Sequence, residues 1–184
     1  MSENKQEDRR ILKTKNLLWE ALLNQSRIQS WDSINVRGIC AEANVARSSF
    51  YLHFGNKFEL LDFGFFHGME TAKAFVQSHK TPKGEWATFD WLFDHISDKD
   101  EFFKEDGPAN DFIFARFQRS VCEVLTYELA LKRSRPSNEA ISFAVGGVFS
   151  VLKSKAVKQG QKLSGEERKQ LNHWANLVLG IETT

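Results

Sequence analysis

The chain has 184 residues, 41% of them apolar and 27% charged, which is enough for one sizeable domain or two small ones sharing a helical core and too little for two large independent domains. Three prolines and 11 glycines are too few for a turn-rich β-sandwich, so the composition points to an all-helical protein. Net charge is +1, but nine basic and six acidic residues fall at or before Lys57, a balance of +3 that leaves −2 for the rest. This mild asymmetry fits a polyanion-facing end joined to a neutral or acidic body. The first ten residues are polar and no run approaches the roughly 18 apolar residues of a membrane span, so a cytoplasmic protein without membrane contact is expected. Cys40 and Cys122 lie too far apart to suggest a disulfide framework or a metal site, and both read as small buried hydrophobes.

The first predicted helix runs from about Asp8 to Gln25, with Ile11, Thr14, Leu18, Ala21 and Leu22 recurring at three- and four-residue steps. Polar residues from Ser26 to Ser33 interrupt it. Asn35 then offers a side-chain oxygen to the first-turn amides of a short helix through Val36, Ile39, Cys40 and Ala43. The pattern stops at Asn44, the non-glycine residue best suited to a left-handed turn, and a third short helix covers about Ala46 to Leu52. Asn56, with Glu59 three positions on, opens a long fourth helix reaching about His79.

Thr81-Pro82-Lys83-Gly84 and Gly107-Pro108 punctuate the middle, placing helices near Glu85 to Ser97 and Asp111 to Arg133 with a further helical turn at Asp100 to Lys104. After Arg135-Pro136-Ser137 a strongly apolar helix runs from Asn138 to about Lys158. Ser164 and Glu167 then form a capping box for a last helix carrying Trp174, Val178 and Ile181 on one stripe.

Two short helices joined by a tight turn, between longer helices, make a helix-turn-helix, the arrangement that lays its second helix in the DNA major groove. The string INVRGICAEANVARSSFYLHFGNKFELL, Ile34 to Leu61, with DRRILKTKNLLWEALL upstream, resembles the TetR family of transcriptional regulators over about a third of the chain. Val36, Ile39, Ala43, Val45, Ser49, Phe50, Tyr51, His53, Phe54, Lys57 and Leu60 stand where that family's pattern places them. The chain departs from it at Asn44, in place of the usual turn glycine, and at Ala46, in place of a capping Ser or Thr.

The resemblance implies residues 1–55 as a three-helix DNA-binding domain joined by a long helix to a helical dimerisation and ligand domain, residues 56–184. Arg37 and Arg47 are the candidate base readers, because a guanidinium bonds guanine O6 and N7 together. Ser48 and Ser49 let the helix sink into the groove; Tyr51, His53 and Lys57 are placed to hold phosphates, which sets register rather than sequence preference; Thr14 and Lys15 can reach a neighbouring phosphate; and Asn35, the cap of the preceding helix, is counted with the DNA-binding residues. For each basic residue the plain alternative is a solvated surface charge.

The family also implies a homodimer through the last two helices, which assigns Ile141, Val145, Val148 and Leu152, with Trp174, Val178 and Ile181, to an interface; the alternative is that these residues close the chain's own core. It further implies a small-molecule effector among the aromatic residues of the body, with Phe66, Phe89, Phe93, Phe114 and Phe117 as candidate contacts, although plain core is the default for Phe. Double-stranded DNA with a near-palindromic operator, a second copy and an apolar or amphipathic effector are therefore the expected partners, with a repressor released by the effector as the expected function. A DNA-binding adaptor of the same fold, acting through a protein partner without an effector, is the alternative. An enzyme is not expected: the chain has no Gly-rich phosphate loop or nucleophile motif, and its five histidines never fall at a helical metal-pair spacing, so no cofactor or metal is called for.

Overall fold

In the computed structural model, which describes residues 2–95, 108–159 and 163–182, every described element is helical. The order is α1 (Ser2–Ser26), a 3₁₀ turn (Trp31–Ser33), α2 (Val36–Glu42), α3 (Arg47–Tyr51), α4 (Lys57–Ser78), α5 (Ala87–His95), α6 (Pro108–Leu131), α7 (Asn138–Gln159) and α8 (Gly165–Leu179). No strand occurs among the described residues. None of the described helices is long and apolar enough to cross a membrane.

Local chemistry sets most of these bounds. Asn35 caps α2, its Oδ1 accepting the Gly38 amide at 3.0 Å. Asn44 takes the left-handed conformation, φ 52°, that turns the chain from α2 into α3. Ala46 stands at the N-cap of α3 with no side-chain bond to offer. Asn56 Oδ1 accepts the Phe58 and Glu59 amides at the start of α4, while Glu59 reaches back to the Gly55 amide at 2.7 Å. Ser164 and Glu167 complete the reciprocal box on α8, which ends at Gly180, φ 66°.

Three boundaries differ from the sequence reading. Helix α1 begins at Ser2, ahead of the first apolar residue, because Glu, Lys, Gln and Arg are good helix formers that leave no apolar periodicity to read. Helix α6 begins at Pro108, where the missing amide proton of proline costs nothing at a first helical position. The interval from Ser26 to Ser33 holds the 3₁₀ turn, whose Trp31 is buried. The expected helical turn at Asp100 to Lys104 and the expected end of α5 at Ser97 lie outside the described residues.

The chain divides into two compact units, Met1–Phe66 and His67–Thr184, so the division falls within α4. In the first unit Leu18, Leu22, Ile34, Ile39, Phe50, Leu60 and Leu61 are fully or almost fully buried, each contributing roughly 1.5–3 kcal/mol relative to exposure. Gly64 lets α1 approach α4: a Cβ there would lie 2.3 Å from Trp19 Cε3, a contact no side chain can accommodate without movement.

In the second unit one core joins Phe89, Leu92 and Phe93 of α5, Val121, Leu125 and Leu129 of α6, Ile141, Val145, Val148, Phe149 and Leu152 of α7, and Leu171, Ala175 and Leu179 of α8. Buried polar groups fasten its edge. Glu128 of α6 accepts the Ala87 and Thr88 amides at 3.0 and 2.9 Å and the Thr88 hydroxyl at 2.7 Å, capping α5 from a neighbouring helix, and pairs with Lys132 at 3.0 Å. Asn172 and Asn176 of α8 accept the Trp86 amide and indole N–H, and Asn176 Nδ2 donates to the Gly84 carbonyl.

Of the residues expected at the interface, Ile141, Val145, Val148 and Leu152 are buried within the single chain, where they take part in its own core. Val178 and Ile181 pack against the same core and are partly buried. Of the predicted set only Trp174, 50% exposed, faces water, and it is joined by Phe143 (71%) and Leu177 (67%), which the sequence reading did not single out. The adjacent glycines of α7 differ in the same way: a Cβ on Gly146 would stand 3.2 Å from Gln118 of α6, whereas a Cβ on Gly147 would meet nothing within 4 Å.

Candidate nucleic-acid interface

Helices α2 and α3 are too short to bury a stripe of their own and are held by one apolar side each: Ile39 and Cys40 on α2, Phe50 on α3. The remaining sides are left to solvent, and there the structure gathers the predicted base readers. Arg37, Arg47, Ser48 and Tyr51 are exposed, Tyr51 by 52%, and Ser49 is half-buried. No hydrogen bond or ion pair holds either guanidinium among the described residues. An open depression of about 370 Å³ is lined by Arg37, Cys40, Ala41, Asn44, Val45, Ala46 and Arg47. Burial pushes the Cys40 thiol above its ordinary pKa, against the opposite pull of Arg47, so it stays protonated and unreactive.

The expected phosphate-holding residues fare unevenly. Tyr51 stands free at the end of α3, its ring edge-on to Phe50 at 5.4 Å. His53 is half-buried; burial first, and then the nearby Lys15 ammonium, hold its pKa below the usual histidine range. It is a neutral hydrogen-bonding group at pH 7, not a cation. Asn35 uses its side-chain oxygen as the α2 cap, leaving its amide nitrogen toward Ser33 O at 3.5 Å. Thr14 turns its hydroxyl back to the Arg10 carbonyl at 3.1 Å.

Lys57 requires a different assignment. Its Nζ donates to the Trp31 and Ile34 carbonyls at 2.6 and 2.9 Å and lies 4.7 Å from the Trp31 ring centroid. Burial lowers its pKa, with Asp32 acting in the opposite sense. The ammonium therefore ties the 3₁₀ turn to the start of α4 and is committed to the fold. Lys15, also expected to reach a phosphate, sits 5.7 and 5.5 Å from the Phe54 and Phe63 rings, close enough to His53 to depress its pKa.

Four of the five expected effector contacts belong to one cluster of the second unit. Phe66 is 61% exposed and belongs to the first unit. Phe89 and Phe93 are buried in the core of the second unit with ring centroids 6.3 Å apart, and Phe114 and Phe117 stand edge-on to Phe149 at 5.2 and 5.4 Å. Among the described residues no three His, Cys, Asp or Glu side chains gather as a metal site.

Residues 29–62 match the model of the bacterial regulatory proteins, tetR family. Over more than nine-tenths of its length the chain has a fold similar to that of solved TetR regulators. A TetR transcriptional regulator from Streptococcus agalactiae 2603V superposes with a TM-score of 0.62 at 22% identity, over 95% of this chain and 98% of that one. A TetR-family regulator from Streptomyces coelicolor gives 0.59 at 19% identity, over 92% and 97%. The dihydroxyacetone kinase operon activator DhaS gives 0.53 at 16%, over 92% and 98%. No curated protein matches the sequence. The matched segment contains α2, α3 and the turn between them, the surface on which Arg37 and Arg47 stand.

Proposed function

We propose that this TetR-type, DNA-binding transcriptional regulator is a homodimeric repressor, with residues 1–55 as its operator-binding domain and residues 56–184 as its dimerisation and effector domain. The observation that carries the DNA reading is that Arg37, Arg47, Ser48 and Tyr51 are all exposed on two short helices joined by a tight turn, with Glu42 the one exposed acid on them. Arginine reads base edges while Ser, Tyr, His53 and Lys15 hold the backbone, so sequence preference and register come from different residues.

Dimerisation is supported by the apolar side chains that α7 and α8 leave to water. Phe143, Trp174 and Leu177 are large, exposed and carried on two helices that pack together, and exposed apolar area of this kind marks an interaction surface. Gly147, open on the same helix as Phe143, allows a second backbone to come close. A two-fold dimer repeats the reading helix about 34 Å away, one turn of B-DNA, and so requires a near-palindromic operator.

The effector reading rests on the aromatic residues Phe89, Phe93, Phe114 and Phe117 of the second unit's core and on Trp91 packed against it, whose buried indole N–H has no hydrogen-bond partner among the described residues. A small apolar or amphipathic molecule with one acceptor would satisfy it.

The test is a fluorescence-anisotropy titration of the full chain against the DNA upstream of its own gene, at several salt concentrations. Tight binding that weakens steeply with salt is expected. The Arg47→Ala variant, folded by circular dichroism, is expected to lose at least about tenfold in affinity. Undiminished binding by that variant would remove the assigned contacts.

A further inference from the structure

Lys57 is the first residue of α4, and its ammonium grips the backbone immediately ahead of α2. Nζ donates to the Trp31 carbonyl at 2.6 Å and the Ile34 carbonyl at 2.9 Å, and stands over the Trp31 ring with the centroid 4.7 Å away. Two of the three ammonium donors are thus engaged, and the aromatic face attracts the charge as well. Trp31 and Ile34 are 3% and 2% exposed, and the Trp31 ring is edge-on to Phe58 at 5.5 Å. Swinging Lys57 out to a phosphate would strip two charge-assisted bonds from the backbone of two buried residues.

The grip bears on α2. Ile34 directly precedes Asn35, the α2 N-cap, and Arg37 follows in the first turn. With seven residues α2 is too short to hold a direction by itself. Ile39 and Cys40 anchor it in the core, and the buried Gln25 side chain lies against Gly38, where a Cβ would stand 2.9 Å from Gln25 Nε2. Those contacts hold the middle of the helix. Lys57 holds its leading end, where Arg37 stands.

We infer, resting on the DNA-binding reading above, that Lys57 is a positioning residue for sequence recognition. By tying the start of α4 to Ile34 it sets the direction in which α2 presents Arg37 to the bases, and it touches no phosphate itself.

The experiment compares the full-length wild type, Lys57→Met and Lys57→Arg on a duplex selected by the wild type from a random pool and on a scrambled duplex, at several salt concentrations. Methionine keeps an unbranched stem and removes the donors. Arginine keeps the charge and binds phosphate at least as well as lysine, but its planar fork cannot set one nitrogen between two carbonyls and a ring face. Both variants, folded by circular dichroism, are expected to bind the selected duplex about tenfold more weakly, the scale of one lost base contact. Their affinity for the scrambled duplex and their salt slope should match the wild type. A phosphate contact predicts the opposite pattern: equal weakening on both duplexes, a slope smaller by about one in Lys57→Met, and recovery in Lys57→Arg. That pattern would overturn the inference. Wild-type affinity on both duplexes with a lowered thermal midpoint, or loss of the fold in both variants, would overturn it too, by assigning Lys57 to stability alone. Failure of the wild type to enrich or bind any duplex would instead remove the DNA-binding reading, and the inference with it.

Discussion

The α2–α3 surface and the α7–α8 pair spend their apolar residues differently. On α2 and α3 one or two side chains per helix are buried, and almost everything else is exposed and polar or small. On α7 apolar residues lie on more than one side: Ile141, Ala144, Val145, Val148, Phe149 and Leu152 inward, Phe143 outward. Where a helix has a single apolar side, residue type reveals which groups are free to bind. Where it has two, type alone does not separate the side that closes the core from the side that meets a partner.

Placing aspartate on each side of α7 sharpens that contrast most strongly. Val148→Asp puts a charge in the core and is expected to cost about 4 kcal/mol or more, enough to unfold much of the protein, as measured by urea denaturation. Phe143→Asp, on the exposed side, is expected to leave the urea midpoint of the isolated subunit nearly unchanged and to convert a dimer to monomers by analytical ultracentrifugation. Equal destabilisation by both would erase the distinction between the two sides.

The first unit should break at a point rather than over a face. Gly64→Ala drives a methyl into the Trp19 ring and is expected to destabilise that unit by about 1–3 kcal/mol, read as a lower thermal midpoint. A Gly68→Ala control, with nothing near the added methyl, should be neutral or stabilising because alanine favours the helix. If the two substitutions behave alike, the close approach of α1 to α4 is not what Gly64 provides.

The smallest effect is a pH dependence. Because the folded state holds the His53 pKa below its unfolded value, the unfolded chain binds the proton more readily, and stability rises with pH through this window. Full stability is present above the unfolded histidine value of about 6.5 and declines as pH falls toward and through the depressed folded value. His53→Asn should flatten the part of the thermal-midpoint slope between pH 7.5 and 5.5 that this residue supplies; an unchanged slope would show that its burial contributes nothing.

What the sequence made legible follows from range. Asn35, Asn44 and the Ser164–Glu167 pair act on backbone within three residues of themselves, so their roles as caps and turn were readable from spacing. Lys57 was not, because its partners are carbonyls 26 and 23 residues earlier, brought under it only when the 3₁₀ turn folds, and a lysine that holds a carbonyl looks in sequence like one that holds a phosphate. Glu128 gave no signal either. It caps a helix some 40 residues away, and within its own helix it reads as one more surface acid.

Amide chemical-shift mapping of the full chain with a selected duplex puts the central claim to the most direct test. The account predicts that the largest shifts fall on Arg37 and on Ala46 through His53, with Lys15 beside them and the core of α5 to α8 little changed. Largest shifts in the second unit, with the α2–α3 amides unmoved, would contradict it.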